Sequence, residues 1–337
     1  MTITGEILAI AATQDGAIMA AQLRPIAHAR EVQAVLASGH LRRLWRGAYA
    51  AGPAARGRVP LRTRLTAAQL TLRRPVIPCL NTAAEIHGFA GCLSRDTHVL
   101  TDGSVQSTRT GLVVHRHRPI ADRVTVDGQP VEDPAECAVR LAVLRKSPAA
   151  ALAVLDAAVH CGAVASVGAI VDRVEALSGR GVHRLRSLAP LADGASRSAA
   201  DSWVRWACLE RAFDVPIIAP RSRPDLSGGF SPATPDYVWH RYEVTATLTS
   251  AGDARLRGGH AHTDCSGAHG PTRLFLERVD RGTAGSGLCP LHPAARVELL
   301  STLLRARARW LRTTGIHSNS TDRLPLRRPG RVTGPPG

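Results

Sequence analysis

Lysine is almost missing from this 337-residue chain, where Lys146 stands alone among 43 basic residues and arginine carries nearly all the positive charge. The seven cysteines, at positions 79, 92, 137, 161, 208, 265 and 289, are odd in number and include no Cys-x-x-Cys pair. That spacing argues against a disulfide framework and for a reducing cytoplasm. The opening MTITGEILAIAATQDG lacks a basic n-region and holds Glu6 within its apolar stretch, which reads against a secretory signal. Long hydrophobic runs are also missing. The most apolar long segment, 149–171, is broken by Asp156, His160 and two glycines, so it reads as a packed helix pair and not as a membrane span. No internal repeat is present.

Positive charge is plentiful. A formal net charge of +16 points to a polyanionic partner, because guanidinium groups that neutralise phosphates release condensed counterions. Arginine and alanine richness is also what GC-rich coding DNA produces, so the distribution says more than the total. Residues 1–75 hold eleven Arg against Glu6, Asp15 and Glu31 alone. The length allows two or three domains, each with its own core.

Apolar spacing predicts short helices over 5–12, 19–23 and 28–37, with Arg24-Pro25-Ile26 as a turn. Ser38-Gly39-His40 stops the third helix, and LRRLWRGAYA (41–50) alternates apolar and basic residues as a β-hairpin does. This is a winged helix-turn-helix order. The third helix would present His28, Arg30, Glu31 and Gln33 to the major groove of double-stranded DNA, and the wing would set Arg42, Arg43 and Arg46 against phosphates. The plainer alternative is a small fold with a solvated basic face. A linker at 53–58 and an amphipathic helix over 61–72 follow. Short strands (111–117, 123–131), a helical stretch (81–89) and Ala-rich helices (134–191) make up the middle region.

The run GAIMAAQLRPIAHAREVQAVLASGHLRRLWRGAYA (16–50) resembles the winged helix-turn-helix of AbiEi-type antitoxins of type IV toxin–antitoxin systems, found at the head of many actinobacterial proteins. The resemblance continues through TAAEIHG (82–88), GLVVHRH (111–117) and VDGQPVEDPAECAVRLA (126–142), similar to the family's "vdGlPVTsPaRTlvDLA". Glu132 and Arg140 depart from it, standing where the family has Thr and Asp. The resemblance implies a DNA-binding transcriptional regulator, autoregulating a toxin–antitoxin operon. His87 and His115 each stand alone on a patterned segment and read as structural.

Residues 196–244 resemble the very-short-patch-repair endonucleases of the PD-(D/E)xK superfamily. SAADSWVR (198–205) puts Asp201 where that family has Glu, and PDYVWHRYEV (235–244), read as one strand, supplies Asp236 and Glu243. By that resemblance Asp201, Asp236 and Glu243 would be catalytic, with Asp236 and Glu243 holding Mg²⁺ to activate water. Three departures point to a degenerate, inactive site. Asp236 and Glu243 are too close in sequence for the pattern, no Lys is near, and no Asp-Gly-x-x-His follows. Residues 245–290 show no sustained period; one lost base after the Glu243 codon would convert EVDGHAH into EVTATLT, and compensating frame slips would account for the segment. Within it, His260, His262, Cys265 and His269, with Cys289 and His292 downstream, have residue types that could bind Zn²⁺ but match no known zinc spacing. Order returns with a helix over 292–312.

The expected architecture is α+β. It comprises a winged helix-turn-helix (1–55), a middle antitoxin-like α/β and helical region (60–192), a degenerate restriction-endonuclease-like α/β domain (195–312) and a Pro, Gly and Arg tail (313–337) with a disordered composition. The expected function is DNA binding without catalysis and without a cofactor. The rival is a Mg²⁺-dependent endonuclease.

Overall fold

A computed structural model describes residues 2–101, 107–116, 123–179, 181–218, 235–249, 261–264, 272–277 and 293–314. The chain is a mixed α/β protein with several small sheets; eleven α-helices and fourteen strands lie among the described residues. Those residues form two compact units, one ending at Ala199 and the other starting at Ala200.

The first unit opens with α1 (Ile3–Ala12), started by Thr2, whose hydroxyl accepts from the Gly5 N–H at 3.2 Å. Then come β1 (Ala17–Met19), α2 (Ala20–Leu23), α3 (Ala29–Ala37) and the hairpin β2 (Leu41–Trp45) and β3 (Ala48–Ala51). The three strands form an antiparallel sheet in the order β1-β3-β2. Strand β1, only three residues long, escapes sequence patterning, since Ala17, Ile18 and Met19 run directly into a helix. Ile7, Ile18, Leu23, Val35 and Leu41 close the core beneath the helices. Gln22 and Glu31 each reach back to the first free N–H of their own helix, that of Met19 at 2.9 Å and of His28 at 2.6 Å.

The linker at 53–58 does not part this piece from the next. Helix α4 (Leu61–Leu72) places Leu65, Ala67 and Ala68 in one cluster with Ala17, Trp45 and Ala48 on one side and Val99, Leu112 and Val114 on the other. Those last three belong to a second sheet, β4-β5-β7-β6, made of β4 (Ile77–Pro78), β5 (Thr97–Thr101), β6 (Ser107–Arg109) and β7 (Leu112–Arg116). Strands β5 and β7 are parallel. Helix α5 (Leu80–His87) connects β4 to β5, and β8 (Arg123–Val126) and β9 (Gln129–Glu132) form a hairpin around Asp127-Gly128.

Helices α6 (Pro134–Val143), α7 (Pro148–His160), α8 (Val167–Ala176) and α9 (Val182–Leu185) complete the unit. Asp133, Ser147 and Ser166 cap the first three, each accepting N–H groups of its own first turn. The expected helix pair over 149–171 is α7 and α8. No described helix is long and apolar enough to cross a membrane.

In the second unit α10 (Ala199–Glu210) and α11 (Pro293–Thr314) share a core with a five-stranded sheet. Its order is β10 (Ile217–Ile218), β11 (Tyr237–Trp239), β12 (Val244–Thr249), β14 (Thr272–Glu277), β13 (Ala261–Asp264), with β12 and β14 parallel. Two expectations change here. The single strand read over 235–244 is broken by a tight turn at 240–242, and part of 245–290, read as patternless, forms β12, β13 and β14. The period was present: Val244 and Ala246 are buried in β12, as are Leu274 and Leu276 in β14. The tail from 315 onward lies outside the described residues.

Candidate nucleic-acid interface

Helix α3 turns Val32, Val35 and Leu36 toward the core, which leaves Arg30 and Gln33, one turn apart, on its exposed face. His28 is exposed just before the helix, and Glu31 is occupied by the bond to the His28 N–H. The helix therefore offers Arg30 and Gln33 outward, with a carboxylate already committed to its own N-terminus.

In the hairpin, Arg42 is paired with Ala50 and Arg43 with Tyr49, so their side chains leave opposite faces of the sheet. Arg42 donates through Nη1 to the Gly57 carbonyl and is held there. Arg43 lies over the Tyr49 ring, 5.8 Å from its centroid. The β2 register shifts between Arg43 and Trp45, and beyond this bulge Arg46 rejoins Arg43 on one groove. Arg24, from the end of α2, and Thr110 line the same groove. Among the described residues none of Arg24, Arg30, Arg43 and Arg46 forms an ion pair, whereas Arg58, Arg62 and Arg64 are matched by Glu85 and Asp15. The structure thus brings Arg43 and Arg46 together and adds Arg24, which pattern reading passed over because it sits in the Arg-Pro turn. It leaves Arg42 apart from them.

A second constellation lies in the middle region. Glu132, fully buried, is ion-paired with Arg140, and its Oε2 accepts from the Leu80 N–H at 2.7 Å. The two positions that depart from the AbiEi pattern are thus each other's partner. Burial raises the Glu132 carboxyl above its usual range, against the opposing pull of Arg140 and the Leu80 N–H. His87 donates through Nε2 to the Glu132 carbonyl at 2.8 Å, a structural bond as expected. His115 does not stand alone: its Nε2 is 3.0 Å from His98 Nδ1, the rings being stacked on neighbouring strands. Desolvation, followed by the nearby His98 and Arg140, lowers the His115 pKa to about 4. Burial lowers that of His98 too.

In the second unit Asp201 is buried and accepts from the Tyr237 hydroxyl at 2.6 Å. Asp236 accepts from the Leu248 N–H at 2.8 Å, just before β11 begins. Glu243 is exposed at the far end of the same hairpin, with φ +50, where the turn meets β12. Six residues lie between the two carboxylates, and the three of strand β11 alone separate the two positions by roughly 10 Å. The structure does not bring them together. No group of three or more His, Cys, Asp and Glu side chains among the described residues could hold a metal ion. His260, Cys265, His269, Cys289 and His292 lie outside the described residues, as does the side chain of His262.

Comparison with known proteins places residues 76–191 in the family described as the AbiEi antitoxin C-terminal domain. Two uncharacterized proteins from strains of Mycobacterium tuberculosis, MT2308 and Rv2248, are each 31% identical to the chain over 213 residues, spanning 63% of this chain and 75% of theirs.

Proposed function

Because the chain belongs to the family of these mycobacterial proteins and carries an AbiEi antitoxin C-terminal domain over 76–191, we propose that it is an antitoxin-type regulator that binds double-stranded DNA. Its N-terminal residues act as a winged helix-turn-helix. Helix α3 offers Arg30 and Gln33 to base edges, and the hairpin is the wing. The observation that carries this reading is the groove holding Arg24, Arg43 and Arg46 with no carboxylate among the described residues to neutralise them. Its partner is the DNA upstream of its own operon, where a cognate toxin would be encoded.

Gel shift and titration with that upstream DNA over a range of salt concentrations test the proposal. Replacing Arg43 and Arg46 together by Ala should weaken binding to all sequences and lower the slope of log K against log salt by about two. Arg42→Ala should leave the slope unchanged, because that side chain is spent on the Gly57 carbonyl on the other face. A double variant with wild-type affinity and slope would remove the wing from the DNA.

The rival reading, a Mg²⁺-dependent endonuclease, draws support from the helix and sheet order of the second unit, α10, β11, β12 and a parallel β14. It is weakened by the separation of Asp236 from Glu243 and by the Tyr237 hydroxyl on Asp201. Nicking of supercoiled plasmid with and without Mg²⁺ decides it. Cleavage that depends on Mg²⁺ and is lost in Asp236→Ala would establish the nuclease.

A further inference from the structure

The arginine groove is not built by the N-terminal residues alone. Its remaining wall is Thr110, in the turn between β6 and β7 of the antitoxin-type domain. The next residue, Gly111, has φ +92, and a Cβ placed on it would lie 2.5 Å from the Leu44 carbonyl oxygen and 3.5 Å from Cε3 of Trp45. Leu44 is the residue at which the β2 register shifts, so the turn presses its backbone against the wing's bulge. A bulge bends its strand and re-aims the side chains on either side of it. Those side chains are Arg43 before it, and Trp45 and Arg46 after it.

The turn cannot easily retreat. The Gly111 N–H donates to Asp96 Oδ1 at 2.9 Å, and its carbonyl accepts from the Thr97 N–H at 2.9 Å, which ties both sides of the glycine to the start of β5. On the wing, Trp45 is turned inward and donates through Nε1 to Thr71 of α4 at 2.9 Å. The bulge is therefore held between two fixed walls, one on α4 and one on the β6–β7 turn.

We infer that the β6–β7 turn of the antitoxin-type domain, Thr110 and Gly111, is a positioning element for DNA binding: it fixes the bulge at Leu44 so that Arg43 and Arg46 meet Arg24 on one phosphate-binding groove. Any methyl group at 111 must displace the wing, since the turn is anchored from behind. The inference rests on the DNA-binding reading above and extends it, because it makes the domain matched over 76–191 a determinant of affinity for DNA.

A double-mutant cycle on the full chain tests it, with salt-dependent titration of the upstream DNA as the readout. Gly111→Ala should lower the salt slope by about one to two, and should have no further effect once Arg43 and Arg46 are already Ala. Partial unfolding would behave differently, reducing the active fraction without changing the slope of the folded remainder. Thr110 is exposed, so Thr110→Glu and Thr110→Lys leave folding intact and keep the test open even if Gly111→Ala does not fold. The Glu variant should weaken binding about tenfold and the Lys variant should steepen the slope by up to about one. Wild-type binding by both Thr110 variants, or a Gly111→Ala effect that adds in full to that of the arginine pair, would overturn the inference while leaving the DNA-binding reading intact. Failure of the wild-type chain to bind duplex DNA would instead end that reading, and this inference with it.

Discussion

His98 and His115 face each other across parallel strands at 3.0 Å, so one imidazole must be neutral to accept the other's N–H. Protonating the pair fully would set two cations against each other, with Arg140 nearby adding to the repulsion on His115. Because the folded pKa of His115, about 4, lies below its ordinary value of 6.5, acid protonates the unfolded chain first. The stability that this residue contributes is complete above about pH 6.5 and is lost as the pH falls toward about 4. Thermal melts between these limits should show His115→Gln losing less stability on acidification than the parent chain. Equal losses would mean that the acid sensitivity lies elsewhere. Leu80 carries a residue-scale tension of another kind, a bulky side chain at φ +49, in the left-handed region that such residues avoid.

Glu132 fastens that position at the scale of elements. Through one carboxylate it joins β9 to the strained start of α5, by the Leu80 N–H, and to α6, by Arg140. Asp133, the next residue, caps α6, so the chain enters that helix with three elements already fastened together. Replacing Glu132 by Ala would strand the Leu80 N–H and leave Arg140 without its counter-ion, at a cost of about 3 kcal/mol. Chemical denaturation should show that loss in the first unit's transition. A variant within about 0.5 kcal/mol of the parent would mean that water or another group replaces the carboxylate. The helices around this knot were readable from periodicity and caps, and the 61–72 helix matches its expected limits. The pairing was not readable: Glu132 and Arg140 looked like two separate departures from a pattern, because an ion pair between a strand and a helix leaves no period in the chain.

At the scale of the molecule, the core that runs from Trp45 through α4 to Val99, Leu112 and Val114 makes the N-terminal residues and the antitoxin-type domain one folding body. A chain ending at Ala199 should therefore melt cooperatively and keep the full chain's salt slope for DNA. A lower slope would assign phosphate contacts to the second unit. The sequence by itself determined the order of helices and hairpin in the N-terminal segment, the concentration of arginine there and the likeness to AbiEi antitoxins. Each of these rests on local spacing, turn residues and residue type, which a linear chain displays directly. Only the tertiary structure decided which arginines share one groove. Arg42 and Arg43 are neighbours in sequence, yet the pleat of β2 sends them to opposite faces, and the bulge at Leu44, held by a glycine 67 positions later, returns Arg46 to the side of Arg43 and Arg24. Strand pairing and long-range packing set those directions, and neither is visible until the chain has folded onto itself.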